Sequence, residues 1–204
     1  SFRAISWLWL LRLLGKNANL DNDLVGRIIG HLVLSARHIE RNLSTYFSPN
    51  THLTGEALAL YYLGTELSDF ESATRWREMG RRILLEQLPV HVRADGTYFE
   101  QSTWYHRYTF DFYLHFHVLE QRAYGRSHPD VVDALRRMAE VLLWISRPDG
   151  SMPLVGDDDG GRLLFLDGRL PNDTRPALAS AAWLTGNAEF LTAGPPSMEL
   201  PWLT

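Results

Sequence analysis

Phenol, imidazole and guanidinium groups follow one another at Tyr105-His106-Arg107, with Trp104 before them and Tyr108 after. A packed Trp104 and Tyr108 would be ordinary, but the run as a whole is not a core composition. At the opening of a helix, where the dipole already favours an anion, it offers donors to a negative group and aromatic rings to a sugar face. The run ends a polar cluster that begins at Asp95-Gly96 and includes Glu100, Gln101 and Ser102. A second cluster is Ser48-Pro49-Asn50-Thr51-His52-Leu53-Thr54-Gly55-Glu56, and a third is Gly156-Asp157-Asp158-Asp159-Gly160-Gly161-Arg162. All three fall at turns or helix ends, where functional groups collect.

Each cluster also has a plainer reading. Asn50 is a good N-cap for the helix that follows it, which does not stop it from facing a cleft as well. His52 and Glu56 stand at helical spacing, yet the His-Glu-x-x-His of a zinc protease is absent. His115 and His117 do not share a helix face and read as ordinary helix residues. The run Asp157-Asp158-Asp159 lacks the spaced ligands and closing Glu of a calcium loop and reads as a solvated or capping turn. No metal and no other cofactor is expected.

Hydrophobic period and turn signals place these clusters on a mainly helical chain. The spacing predicts helices from about Phe2 to Leu14, from Asp21 or Asn22 to about Leu43, from about Leu53 to Leu63, and from Asp69 to about Leu88. The second of these rests on Leu24, Ile28, Leu32, Ile39 and Leu43. Val90-His91-Val92-Arg93 and Thr97-Tyr98-Phe99-Glu100 then flank Asp95-Gly96, a short-hairpin signal. Helices resume from about Ser102 to Tyr124, Pro129 to Ile145 and Pro176 to Leu184, with a short strand expected over Arg162 to Leu166. Helix pairs joined by short turns, each pair followed by an Asp-Gly turn, describe an array of αα-hairpins. The expected fold is therefore all-α in the main, an incomplete α/α toroid of antiparallel hairpins with short β-hairpins in the connections.

Bulk properties narrow the function. A chain of 204 residues, 45% hydrophobic and 22% charged, suits one domain with a real core. A formal net charge of -4 gives no basic surface for nucleic acid or anionic lipid, though a few local cations would still serve an anionic substrate. There is no cysteine, hence no disulfide framework and no thiolate chemistry. The stretch from Ser1 to Leu14 is interrupted by Arg3 and Arg12, is too short and charged to span a bilayer, and reads as a core helix of a chain whose natural start has been cut away. No membrane partner is expected.

Taken in order, the motifs resemble a known family. Asn50-Thr51-His52-x-x-Gly55-Glu56-Ala57, Trp76-x-x-x-Gly80, Asp95-Gly96-x-x-x-Glu100-x-Ser102-x-x-Tyr105-His106-x-Tyr108 and Gly156-Asp157-Asp158-Asp159-Gly160-Gly161-Arg162 look like the helical domain of heparinase II/III-type polysaccharide lyases, and related alginate lyases share much of the pattern. The resemblance implies one α/α toroid domain over residues 1–204, a fragment whose partner is a C-terminal β-sandwich domain of the same protein. It implies an enzyme that cleaves an anionic, uronic-acid-containing polysaccharide by β-elimination. The proton lost lies beside a carboxylate, so that group must be neutralised while a base takes the proton and an acid protonates the departing oxygen. The resemblance puts the neutralising amide at Asn50 and the catalytic acid or base at Tyr105. His52, Glu100, His106 and Arg107 would support these or bind substrate.

Two other readings stay open. A glycoside hydrolase on a similar helical ring needs two carboxyl groups about 5 to 9.5 Å apart, for which Glu56, Asp95, Glu100 and Asp157 are candidates. A non-catalytic glycan-binding module would use the aromatic residues alone. The loops are poorer in Arg and Lys than selective sulfate recognition wants, which leans towards an unsulfated polymer. A substrate of this type implies a periplasmic or secreted place.

Overall fold

A computed structural model describes residues 1–15, 20–46, 49–160, 162–166, 168–191 and 201. Among them the ordered elements are helices: α1 (Phe2–Leu14), α2 (Asn22–Arg41), α3 (Thr51–Glu66), α4 (Ala73–His91), α5 (Thr103–Tyr124), α6 (Pro129–Ile145) and α7 (Arg175–Thr185), followed by a 3-10 turn over Ala188–Phe190. The chain divides into two compact units, Ser1–Leu84 and Leu85–Thr204, the boundary falling inside α4. Among the described residues no helix is long and apolar enough to cross a membrane.

In the first unit α1 and α2 pack on each other and on α3. Asp21 caps α2 by accepting the Asp23 N–H, and the buried residues Leu32, Val33, Ala36 and Ile39 form one stripe over its second half. Leu24, expected on that stripe, is exposed. The α3 helix is buried almost all round, from Leu53 through Ala57, Leu58, Tyr61 and Leu63. A buried bond of 3.2 Å from Trp9 Nε1 to the Tyr62 hydroxyl ties α1 to it.

Two glycines let α3 and α4 approach backbone to backbone. A Cβ on Gly80 would lie 2.7 Å from Tyr61 N, and one on Gly64 would lie 2.8 Å from Arg77 Cβ. Because Gly64 meets the start of α4 while Gly80 meets the start of α3, the two helices run antiparallel. Arg75 and Trp76 of α4 both bond the Glu40 carboxylate of α2, at 2.5 and 3.2 Å.

In the second unit α6 packs between α5 and α7. Its buried positions Val131, Ala134, Leu135, Met138, Ala139 and Leu142 keep helical period. The short Gly125–His128 link makes α5 and α6 antiparallel neighbours.

Differences from the sequence reading are local. The third helix is longer at both ends than expected, and the fourth starts at Ala73 because a turn closed by Phe70 N→Leu67 O and Ala73 N→Phe70 O occupies the residues after Asp69. It then continues through Pro89 to His91, since proline's fixed φ is helical and its cost is one missing N–H bond. The expected hairpin is reduced to one bridge, Val92↔Tyr98. Its turn survives: the Asp95 carboxylate accepts Thr97 N at 2.9 Å and Thr97 Oγ1 at 2.7 Å. Asp149 accepts Ser151 N and Oγ at the same two distances. The strand expected over Arg162 to Leu166 does not form among the described residues, and Leu163 N donates instead to the Asp111 carboxylate at 3.3 Å.

Candidate active site

In the first unit the site residues are Asn50 and His52, at the opening of α3. Asn50 caps the helix as expected, its Oδ1 accepting the His52 backbone N–H at 3.0 Å. The same oxygen lies 3.0 Å from His52 Nδ1. An amide oxygen accepts and never donates, so His52 Nδ1 is the donor in that contact. Glu56, one turn on, has both oxygens engaged: it accepts Ser44 N at 2.7 Å and Ser44 Oγ at 2.8 Å, which ties the α2–α3 connection down.

In the second unit the site grows from Ser102. It caps α5, its Oγ accepting Tyr105 N at 3.2 Å, and the same hydroxyl donates to the Asp157 carbonyl at 2.6 Å. The loop carrying Asp157 is thereby fastened to the start of α5. Gly156 makes the fit: its φ of 77° is left-handed, and a Cβ there would lie 2.9 Å from both Ser102 Cα and Cβ. Thr103 adds two more ties, donating to Pro153 O at 2.7 Å and accepting Val155 N at 3.1 Å. Gln101, directly before the cap, holds φ 58°, a left-handed conformation for a residue with a side chain.

Fastened in this way, the loop brings Asp159 to Tyr105. The phenol donates to Asp159 Oδ2 at 2.6 Å. That bond is the first cause holding the Tyr105 hydroxyl well above its ordinary pKa; partial burial and the charges of Asp159, Asp157 and Glu100 push the same way. The neighbouring Tyr108 hydroxyl is also raised, by burial first and then by Asp111 and Asp159.

Asp159 is the residue that sequence reasoning missed as a partner. Its bond to Tyr105 spans 54 positions, and the one signal for it was the flanking Gly156 and Gly160, which mark a close or strained passage. Asp158 closes the loop by accepting Gly160 N at 2.7 Å.

His106 and Arg107 turn inward. His106 is 4% exposed and its Nε2 donates to Met138 O at 3.0 Å, joining α5 to α6; burial lowers its pKa to about 4, so the ring is neutral. Arg107 is fully buried and paired with Asp111 one turn on. Both lie where a polymer in solution does not reach and bear on the site by setting α5. His115 and His117 are buried helix residues; burial pulls the His115 pKa down to about 4. Among the described residues no group of three His, Cys, Asp or Glu is placed to hold a metal ion.

Comparison with known proteins identifies the family. The family model described as Heparinase II/III N-terminus matches residues 15–162. A heparin-sulfate lyase of Pedobacter heparinus is 30% identical over 125 residues, 56% of this chain and 18% of that protein. One from Bacteroides thetaiotaomicron is 31% identical over 121 residues, 55% of this chain and 17% of its own length. The chain thus spans under a fifth of the curated relatives it matches. The crystal structure of heparinase III superposes with a TM-score of 0.69 over 95% of this chain and 30% of that one, at 19% identity, which shows the fold. A heparan sulfate lyase mutant from Pedobacter heparinus gives 0.50 over 60% of this chain and 19% of that one, at 27% identity. The ordered motifs, the helices that carry them and the matched residues together place this chain in the heparinase II/III N-terminal family.

Proposed function

We propose that this chain is the helical part of a polysaccharide lyase that cleaves uronic-acid-containing polymers, glycosaminoglycans among them, by β-elimination. The observation that carries the proposal is the Tyr105 hydroxyl at the opening of α5, engaged with a carboxylate at 2.6 Å in a geometry suited to moving a proton. Asn50 supports it as the residue that neutralises the uronate carboxyl, an amide at the opening of α3 whose Oδ1 is engaged by His52. His52 stands beside it, its Nδ1 on the Asn50 amide oxygen. Glu100 adds negative charge around Tyr105, and His106 and Arg107 fix the helix that bears it. A β-sandwich domain of the same protein, C-terminal to these residues, would complete the cleft, and the substrate points to a periplasmic or secreted place.

The hydrolase reading is weakened by where the carboxylates go. Glu56 is spent on Ser44 and Asp95 on Thr97, each in a purely local bond. The test uses the longest form the gene encodes, incubated with sulfated and unsulfated uronide polymers. Ultraviolet absorbance from an unsaturated sugar end, abolished by Tyr105→Phe and Asn50→Ala in folded protein, is the expected result. New reducing ends without that absorbance would mean hydrolysis and overturn the proposal.

A further inference from the structure

Among the described residues the charges that act most on Tyr105 are negative: Asp159, Asp157 and Glu100. The adjacent cation, Arg107, is turned into the interior and paired with Asp111, and His106 is buried and neutral on Met138 O. The phenol therefore rests protonated, with its proton directed at Asp159. A base in that state cannot act by itself. It can act if its own proton has somewhere to go, and Asp159 is the acceptor already in contact.

We propose that Asp159 is the proton-holding partner of Tyr105, taking the phenol's proton as the phenol oxygen takes one from the substrate. This rests on the lyase reading of the site. The C5–H bond of the uronate breaks and its proton passes to the Tyr105 oxygen, while the original phenol proton moves to Asp159 Oδ2. The electron pair left on C5 forms the C4–C5 double bond, and the C4–O4 bond breaks with its pair on oxygen. Asp159 then returns its proton to Tyr105, which protonates O4. Both side chains end as they began, and no other reactant is needed.

The loop is built for this contact. Gly156 allows the backbone to lie against Ser102, Ser102 fastens Asp157 O, and Asp158 closes the turn on Gly160 N, which leaves Asp159 directed at the phenol. Asp159 acts through Tyr105 and is a positioning residue rather than one that touches substrate.

The experiment compares wild type, Asp159→Asn and Asp159→Glu in the longest form the gene encodes. Asp159 is exposed, and circular dichroism checks folding. Ring-carbon NMR of labelled tyrosine follows titration, with Tyr105→Phe assigning one signal among the 8 tyrosines. The expected result is that Tyr105 titrates at lower pH in Asp159→Asn. In turnover, kcat falls about a hundredfold with KM little changed, the acid limb of the pH profile disappears, and Asp159→Glu recovers part of the rate. An unmoved Tyr105 titration would overturn the proposal, as would Asp159→Asn turnover at the wild-type rate with an unchanged profile. If wild type cleaves no uronide, the lyase reading has failed, and the titration alone decides whether the pair exists.

Discussion

Ser102 and Gly156 meet so closely that a side chain on the second would collide with the backbone of the first, at 2.9 Å from its Cα. One hydroxyl between them caps α5 through Tyr105 N and fastens the loop through Asp157 O. The position of Tyr105 along its helix and the position of its acidic partner are therefore set by a single residue.

Replacing Ser102 by Ala removes both bonds. The cap alone costs about 1 kcal/mol. The larger effect is expected in the loop: hydrogen exchange of residues 157–160 should rise well before global unfolding, and turnover should fall at least tenfold. Gly156→Ala should do the same, since alanine resists the positive φ there and its Cβ would press on Ser102.

The proposed chemistry separates by residue. Tyr105→Phe keeps the ring and removes the proton, so kcat should fall by about a thousandfold. Asn50→Ala should lower kcat by about a hundredfold or more through loss of a donor to developing charge. It also removes the cap of α3, so Asn50→Asp is the better control: it keeps an acceptor for the His52 N–H and still lacks the donor. Absorbance kinetics on a uronide polymer check all three.

Stability should fall with acid below neutrality. Burial pulls His106 and His115 down to about 4 from an ordinary 6.5, so the unfolded chain binds their protons first as pH drops. Their contribution is full above about pH 6.5 and is lost progressively towards pH 4, roughly 3 kcal/mol for each ring. Urea midpoints measured across that range should fall, and His106→Gln, which keeps a donor for Met138 O, should flatten part of the slope.

Gly80→Ala should destabilise the first unit by about 2 kcal/mol or more, because the added carbon meets the α3 backbone rather than a yielding side chain. Thermal unfolding measures it, with the exposed Gly26 of α2, where a Cβ meets nothing within 4 Å, as the control: Gly26→Ala should stabilise by about 0.5 to 1 kcal/mol.

Much of this was legible in the sequence because it is local. The ends of α1 and α6 follow from Gly15 and Pro129, and the caps Asn50 and Ser102 sit where short polar residues precede helical runs. What was hidden is long-range. Nothing in its neighbours says that Asp159 rather than Asp157 reaches a tyrosine 54 positions away. Nor does spacing tell which of Tyr105, His106 and Arg107 faces outward, because consecutive helix residues point in different directions and α5 is buried from His106 to Glu120. The failed strand at Arg162 to Leu166 has the same origin: its backbone donor was claimed by Asp111 on α5.

The pairing of Arg107 with Asp111 has a consequence for how α5 is seated. Both residues stand on α5 and turn together, so the tie to the rest of the protein runs through Asp111, whose other carboxylate oxygen accepts Leu163 N at 3.3 Å. Breaking the pair by Arg107→Met should cost about 3 to 5 kcal/mol, because the Asp111 charge is left buried without its cation, and Arg107→Met with Asp111→Leu should recover much of the loss. The helix that carries the phenol is thus held from the interior, by Asp111 on Leu163 N and His106 on Met138 O, and heritable change in what this site does can arise at positions that no substrate ever meets.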